Sequence, residues 1–128
     1  VTGEKGLKFT KEHEWLRIEG NRVTVGITDF AQKKLGDIVY VELPELDEEF
    51  VEGDAFAVLE SVKTAADVYA PVDGIVVEVN DLLEEEPALI NTDPFGEGWI
   101  AVFEAEGDID TSGLMDTAAY RQYAEEEE

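Results

Sequence analysis

The stretch Phe56-Ala57-Val58-Leu59-Glu60-Ser61-Val62-Lys63-Thr64-Ala65-Ala66-Asp67-Val68-Tyr69 decides the reading of this chain. Two short apolar runs flank a tight connection, so the segment reads as a strand pair with Lys63 at or near its tip. Of nine Lys and Arg residues, seven fall in the first 34 positions. From Leu35 to Tyr120 the only basic residue is Lys63, among 23 Asp and Glu. A lone amine on a rigid hairpin suits an enzyme that must find and modify one lysine, although the charge pattern alone leaves an ordinary surface lysine open. A free lysine, with a pKa near ~10.4, is a poor nucleophile unless desolvated. Nothing nearby in the sequence would desolvate Lys63, and Glu60 and Asp67 favour its charged form. It therefore reads as an acyl acceptor for another enzyme rather than a Schiff-base catalyst.

Working outward, Arg22-Val23-Thr24-Val25-Gly26-Ile27-Thr28 alternates, with Val23, Val25 and Ile27 on one face. Together with His13-Glu14-Trp15-Leu16-Arg17-Ile18-Glu19 and the Gly20-Asn21 pair it predicts an N-terminal hairpin. Thr28 is placed to cap a short helix over 29–35, which Gly36 ends. Strand signals follow at 38–43, 49–51, 55–60, 66–69, 74–79 and 99–104. Short strands at this spacing, separated by turn residues, predict a sandwich or barrel. Asp116 can cap a C-terminal helix of about 116–126, with Ala119, Tyr120 and Tyr123 at helical spacing. The terminal run of glutamates opposes the helix dipole and is expected to fray.

An internal repeat supports two related halves. Val41-Glu42-Leu43, Leu46 and Glu48-Glu49 are matched 36 positions later by Val77-Glu78-Val79, Leu82 and Glu84-Glu85. The segment holding Lys63 joins the two copies. The expected fold is mainly β, a barrel-sandwich hybrid of two quasi-equivalent sheets. It carries the N-terminal hairpin, one short helix and the C-terminal helix. All 128 residues form one expected domain, with its core over about 22–104.

Composition limits function. A formal net charge of -23 opposes binding to nucleic acid or anionic membranes and favours steering toward basic partner surfaces. There is no cysteine, hence no disulfide, thiolate metal site or cysteine nucleophile. No apolar run approaches the ~20 residues that span a bilayer. The acid runs at 84–86 and 125–128 read as solvated rather than as metal sites.

Glu60-Ser61-Val62-Lys63-Thr64-Ala65, Asp67 and Tyr69-Ala70-Pro71-Val72-Asp73-Gly74 resemble the lipoyl-lysine segment of the glycine cleavage system H-protein family. The resemblance continues in His13-Glu14-Trp15, Val25-Gly26-Ile27-Thr28, Leu35-Gly36-Asp37-Ile38-Val39 and Val41-Glu42-Leu43-Pro44. It extends through Glu78-Val79-Asn80, Leu89-Ile90-Asn91 and Pro94-Phe95-Gly96-Glu97-Gly98-Trp99, and covers roughly residues 7–103. Biotin-carrier domains flank their lysine with methionines, where this chain has Val62 and Thr64. Lipoyl domains of 2-oxo acid dehydrogenases are shorter and lack the His-Glu-Trp hairpin. Ala66 departs from the family, which often has Ser there; the loss of one turn hydrogen bond is expected.

The resemblance implies a non-catalytic carrier, lipoylated on Lys63. It would shuttle the aminomethyl group of glycine from the decarboxylating glycine dehydrogenase, the P-protein, to the aminomethyltransferase, the T-protein. The L-protein, dihydrolipoyl dehydrogenase, would then reoxidise the arm. A lipoate ligase or a lipoyl or octanoyl transferase would attach the cofactor. The resemblance also implies that Glu14 and Asp67 hold the cationic amine of the loaded arm. Trp15 is expected to pack, and His13 to make a local contact. The alternative role is a lipoyl relay to other complexes. A monomer is expected, in bacterial cytoplasm or, alternatively, in a mitochondrial matrix after transit-peptide removal.

Overall fold

A computed structural model describes residues 7–127 of the chain. The strands are β1 (Lys8–Phe9), β2 (Glu14–Glu19), β3 (Arg22–Ile27), β4 (Ile38–Glu42), β5 (Glu49–Phe50), β6 (Ala55–Ser61), β7 (Ala65–Tyr69), β8 (Gly74–Val79) and β9 (Ala101–Ala105). The helices are α1 (Asp29–Leu35), α2 (Leu82–Glu85), α3 (Leu89–Thr92) and α4 (Thr117–Glu127). The strands form two antiparallel sheets, ordered β1-β2-β3-β9-β8-β5 and β4-β6-β7. This is the expected mainly β architecture. The larger sheet exceeds the smaller partly because β1 and β2 extend it beyond β3.

The alternation read in β3 is real: Val23, Val25 and Ile27 are buried. They join Leu59 and Val68 of the small sheet and Val76 and Phe103 of the large one in a single apolar cluster. The repeat copies fall in different sheets, β4 in the small and β8 in the large. Their likeness ends after the strand, because Leu82 opens α2 whereas Leu46 lies in an irregular turn.

α1 has the predicted bounds. Thr28 Oγ1 accepts from Ala31 N at 3.2 Å, and Gly36, with φ of 83°, ends the helix. Asp116 caps α4 by accepting from Ala119 N at 2.8 Å. The buried side of α4 is Tyr120 and Ala124, with Tyr123 half-buried; Ala119 faces solvent. Helical structure continues through Glu127, one residue past the expected end. Three elements, β1, α2 and α3, are absent from the sequence reading. At two to four residues each they are too short to carry a periodic signal.

Candidate functional site

Lys63 stands at the tip of the β6–β7 hairpin, as the sequence predicts. Ser61 makes the tip rigid. Its backbone N–H donates to Thr64 O at 2.7 Å, and its Oγ accepts from Lys63 N at 3.3 Å and Thr64 N at 3.1 Å. A serine bonding the backbone two and three residues ahead is a local side-chain turn. Val62 N donates to Asp37 O at 3.0 Å, which moors the tip to the end of α1.

Ala66 is not in this turn. It lies within β7, paired with Leu59, so its substitution for serine removes no turn hydrogen bond, contrary to expectation.

The lysine side chain is exposed and crosses Gly36. A Cβ at position 36 would come within 3.4 Å of Lys63 Cε. That distance is an ordinary van der Waals contact, so it is the positive φ of 83°, not a lack of space, that calls for glycine here. Among the described residues no carboxylate pairs with Nζ within 4.0 Å. An exposed, unpaired primary amine on a braced tip fits covalent attachment of an acyl cofactor.

Glu14, at the start of β2, is only 3 % exposed. Its Oε2 accepts from Tyr69 N at 2.7 Å, and Oε1 accepts from Thr10 Oγ1 at 3.2 Å. Ala70 N donates to Asp54 O and Thr64 O accepts from Ser61 N, both on the β6 side. By strand alternation the backbone groups of Ala65, Asp67 and Tyr69 point the other way, to the free edge of β7. Glu14 therefore closes the far end of that edge, roughly 17 Å of strand from Thr64 at ~3.3 Å per residue. It lines a cleft of about 350 Å³ with Thr10, Tyr69, Pro71, Ser112 and Leu114.

Burial pushes the Glu14 carboxyl up to about 7, against the opposing pull of the Tyr69 and Thr10 hydrogen bonds. Near neutrality it is therefore poised to ionise when a cation arrives.

Asp67 is exposed on β7 and paired with Val58. The Glu14 carboxylate is held by Thr10 and Tyr69 rather than by any group of Asp67. Two residues of strand, roughly 7 Å, separate it from the Tyr69 N–H that Glu14 holds.

Trp15 and His13 support this arrangement from outside the cleft. Trp15 is fully buried, and its Nε1 donates to Pro94 O at 2.8 Å. Its ring lies so close over Gly26 that a Cβ there would fall 2.5 Å from the indole. His13 precedes Glu14 with φ of 68°. Its Nδ1 meets Tyr120 Oη at 2.8 Å, that hydroxyl meets Thr28 Oγ1 at 2.7 Å, and Nε2 lies 3.5 Å from Glu127. Burial lowers the imidazole pKa more than Glu127 raises it. Tyr123 Oη donates to Lys11 O at 3.0 Å. Helix α4 thereby pins residues 11–13 and, with them, the position of Glu14.

The family model described as Glycine cleavage H-protein matches residues 7–127. The glycine cleavage system H protein of Symbiobacterium thermophilum is 53% identical over 120 residues, covering 94% of each chain. That of Thermotoga maritima is 51% identical over 123 residues, covering 96% of this chain and 99% of its own. The crystal structure of a glycine cleavage system H protein from Mycobacterium marinum superposes with a TM-score of 0.82 at 35% identity. It covers 99% of this chain and 98% of that one.

Proposed function

Because this chain belongs to the glycine cleavage H-protein family, and so is a carrier of the glycine cleavage system, we propose that it bears lipoate in an amide bond on Lys63. The observation that carries this reading is the braced hairpin tip, with one exposed amine laid across Gly36. When attached, lipoate supplies a dithiolane able to take up the aminomethyl group of glycine and reducing equivalents. The chain's own residues do the remainder. Ser61 and Asp37 fix the point from which the arm swings. The free edge of β7 leads from that point to the cleft at Glu14. Glu14, with Asp67 on the way, receives the cationic amine of the cargo and shields it from water. The chain catalyses none of these steps.

A protein that only relays lipoate has no use for a buried acid at the end of this edge, which favours the carrier role. The specific partners proposed are the P-, T- and L-proteins and a lipoate ligase or a lipoyl or octanoyl transferase. The working form is a monomer in bacterial cytoplasm. Its bacterial relatives support that setting.

Two results are expected. A charge-assisted hydrogen bond contributes roughly 1.5–3 kcal/mol, so losing one frees the amine about tenfold or more often. Ammonia release from loaded protein without T-protein should therefore accelerate by that factor in Glu14→Ala and by less in Asp67→Ala, whose carboxylate is exposed, with acylation of Lys63 little changed. Unchanged release in both variants would assign protection to apolar burial alone. With a net charge of -23, association with the P- and T-proteins should be steered electrostatically. Rising salt should slow association more than it speeds dissociation in stopped-flow measurements. A salt-independent on-rate would remove the steering.

A further inference from the structure

Beside the lysine lies a surface that the carrier role leaves unused. The ladder between β4 and β6 pairs Ile38 with Ser61 and then Tyr40 with Glu60, which leaves Val39 as an extra residue. Such an irregularity re-aims side chains. Here Val39 and Tyr40, consecutive in sequence, are both turned to solvent, 54% and 51% exposed, although strand alternation would have buried one of them. Val62, next to Lys63, is the most exposed large apolar residue of the described chain at 69%. Its N–H bonds Asp37 O, so it sits across from the entry to β4. Glu60 lies in the same row as Tyr40, and Glu42 and Asp67 flank Val58 two rows further on. The result is an apolar patch beside an edge strand, rimmed by acids, ending at the only lysine after Lys34.

We propose that Val39, Tyr40 and Val62 form the docking surface for the enzyme that acylates Lys63. Its complementary face would be an apolar socket rimmed by Lys or Arg. This inference rests on Lys63 being the attachment site. Geometry selects the occupant. Partners that act on the finished arm work at its far end and need not cover the hairpin tip. The acylating enzyme works on Nζ itself. The unprotonated amine attacks the carbonyl carbon of an activated acyl group, and the bond from that carbon to its leaving group breaks. With an ATP-using ligase AMP departs with the electron pair, and the protons lost as ammonium becomes amide pass to solvent. The enzyme must therefore bring its active site to the tip and cover what adjoins it. The acidic rim matches a basic partner surface, since Lys63 is the only cation between Leu35 and Tyr120.

The test is steady-state acylation by a bacterial lipoate ligase with ATP and lipoate, varying the concentration of this chain. The triple variant Val39→Thr, Tyr40→Thr, Val62→Ser should show KM raised about tenfold or more, with kcat within twofold. Leu46→Ser and Val51→Thr, which alter exposed apolar residues elsewhere, should behave as wild type. Glu42→Gln with Glu60→Gln should reduce the salt dependence of kcat/KM. Once exhaustively acylated, the triple variant should be reduced by dihydrolipoyl dehydrogenase at the wild-type rate, which also reports an intact fold. An unchanged KM in the triple variant, with wild type acylated normally, overturns the docking surface alone. Equal losses in acylation and reduction overturn the assigned occupant. Failure of wild type to be acylated at Lys63 overturns the attachment site instead.

Discussion

Treated with lipoate ligase, ATP and lipoate, the Lys63→Arg chain is expected to gain no mass, while wild type gains one lipoyl group and no more. Arginine keeps the positive charge and most of the stem, so the hairpin should fold unchanged. Its guanidinium does not form the amide. Other lysines sit in different settings: Lys33 and Lys34 lie in the last turn of α1, and Lys33 pairs with Asp29 at 3.0 Å. None of these is held on a tip moored at both Ser61 and Asp37. Carrier activity in the reconstituted glycine cleavage reaction should fall to background with the mass gain. A lipoyl mass on the arginine variant would place attachment elsewhere.

The second large effect is on stability against pH, and it comes from Glu14. Its carboxyl rises from an ordinary 4.5 to about 7 in the folded chain because burial penalises the anion. Between those values the unfolded chain has released this proton while the folded chain still holds it. Unfolding therefore releases a proton, and stability falls as pH climbs through the window, then levels above about 7. At ~1.36 kcal/mol per pKa unit the loss is on the order of 3 kcal/mol. Glu14→Gln keeps an acceptor for the Tyr69 N–H and removes the titration. Urea unfolding of both proteins across this range should show wild type losing about that much relative to the variant, most of it between pH 4.5 and about 7. A difference that stays constant with pH would mean that Glu14 is already ionised in the fold. The same poise serves the proposed function, because an amine cation at the cleft pulls the carboxyl toward its charged form.

Much of the fold was legible because local signals agreed with tertiary ones. The alternation of Val23, Val25 and Ile27, the Thr28 and Gly36 caps and the strand pair around Lys63 each use short-range chemistry that the sequence states directly. Burial of Glu14 was not legible. In a chain with 32 acids nothing marks one of them as the carboxylate that holds a backbone N–H 55 residues away. The His13–Tyr120–Thr28 chain was hidden for the same reason, since it joins positions as much as 107 residues apart. Val39 and Tyr40 escaped because a strand irregularity breaks the period on which the reading relied. Proximity of Glu14 and Asp67 to one amine came from resemblance alone. In the structure Glu14 holds the Tyr69 N–H at the end of β7, whereas Asp67 lies two residues earlier on that strand.

The central claim is that Lys63 carries what glycine gives up. The most direct measurement loads the lipoylated chain with P-protein and glycine labelled at its methylene carbon, then cleaves it after glutamate. Peptide 61–78 contains Lys63 and no other lysine, so mass spectrometry can locate the label. The expected result is label on that peptide and on no other. A chain lipoylated at Lys63 that takes up no label there, or takes it up on another peptide, would contradict the claim.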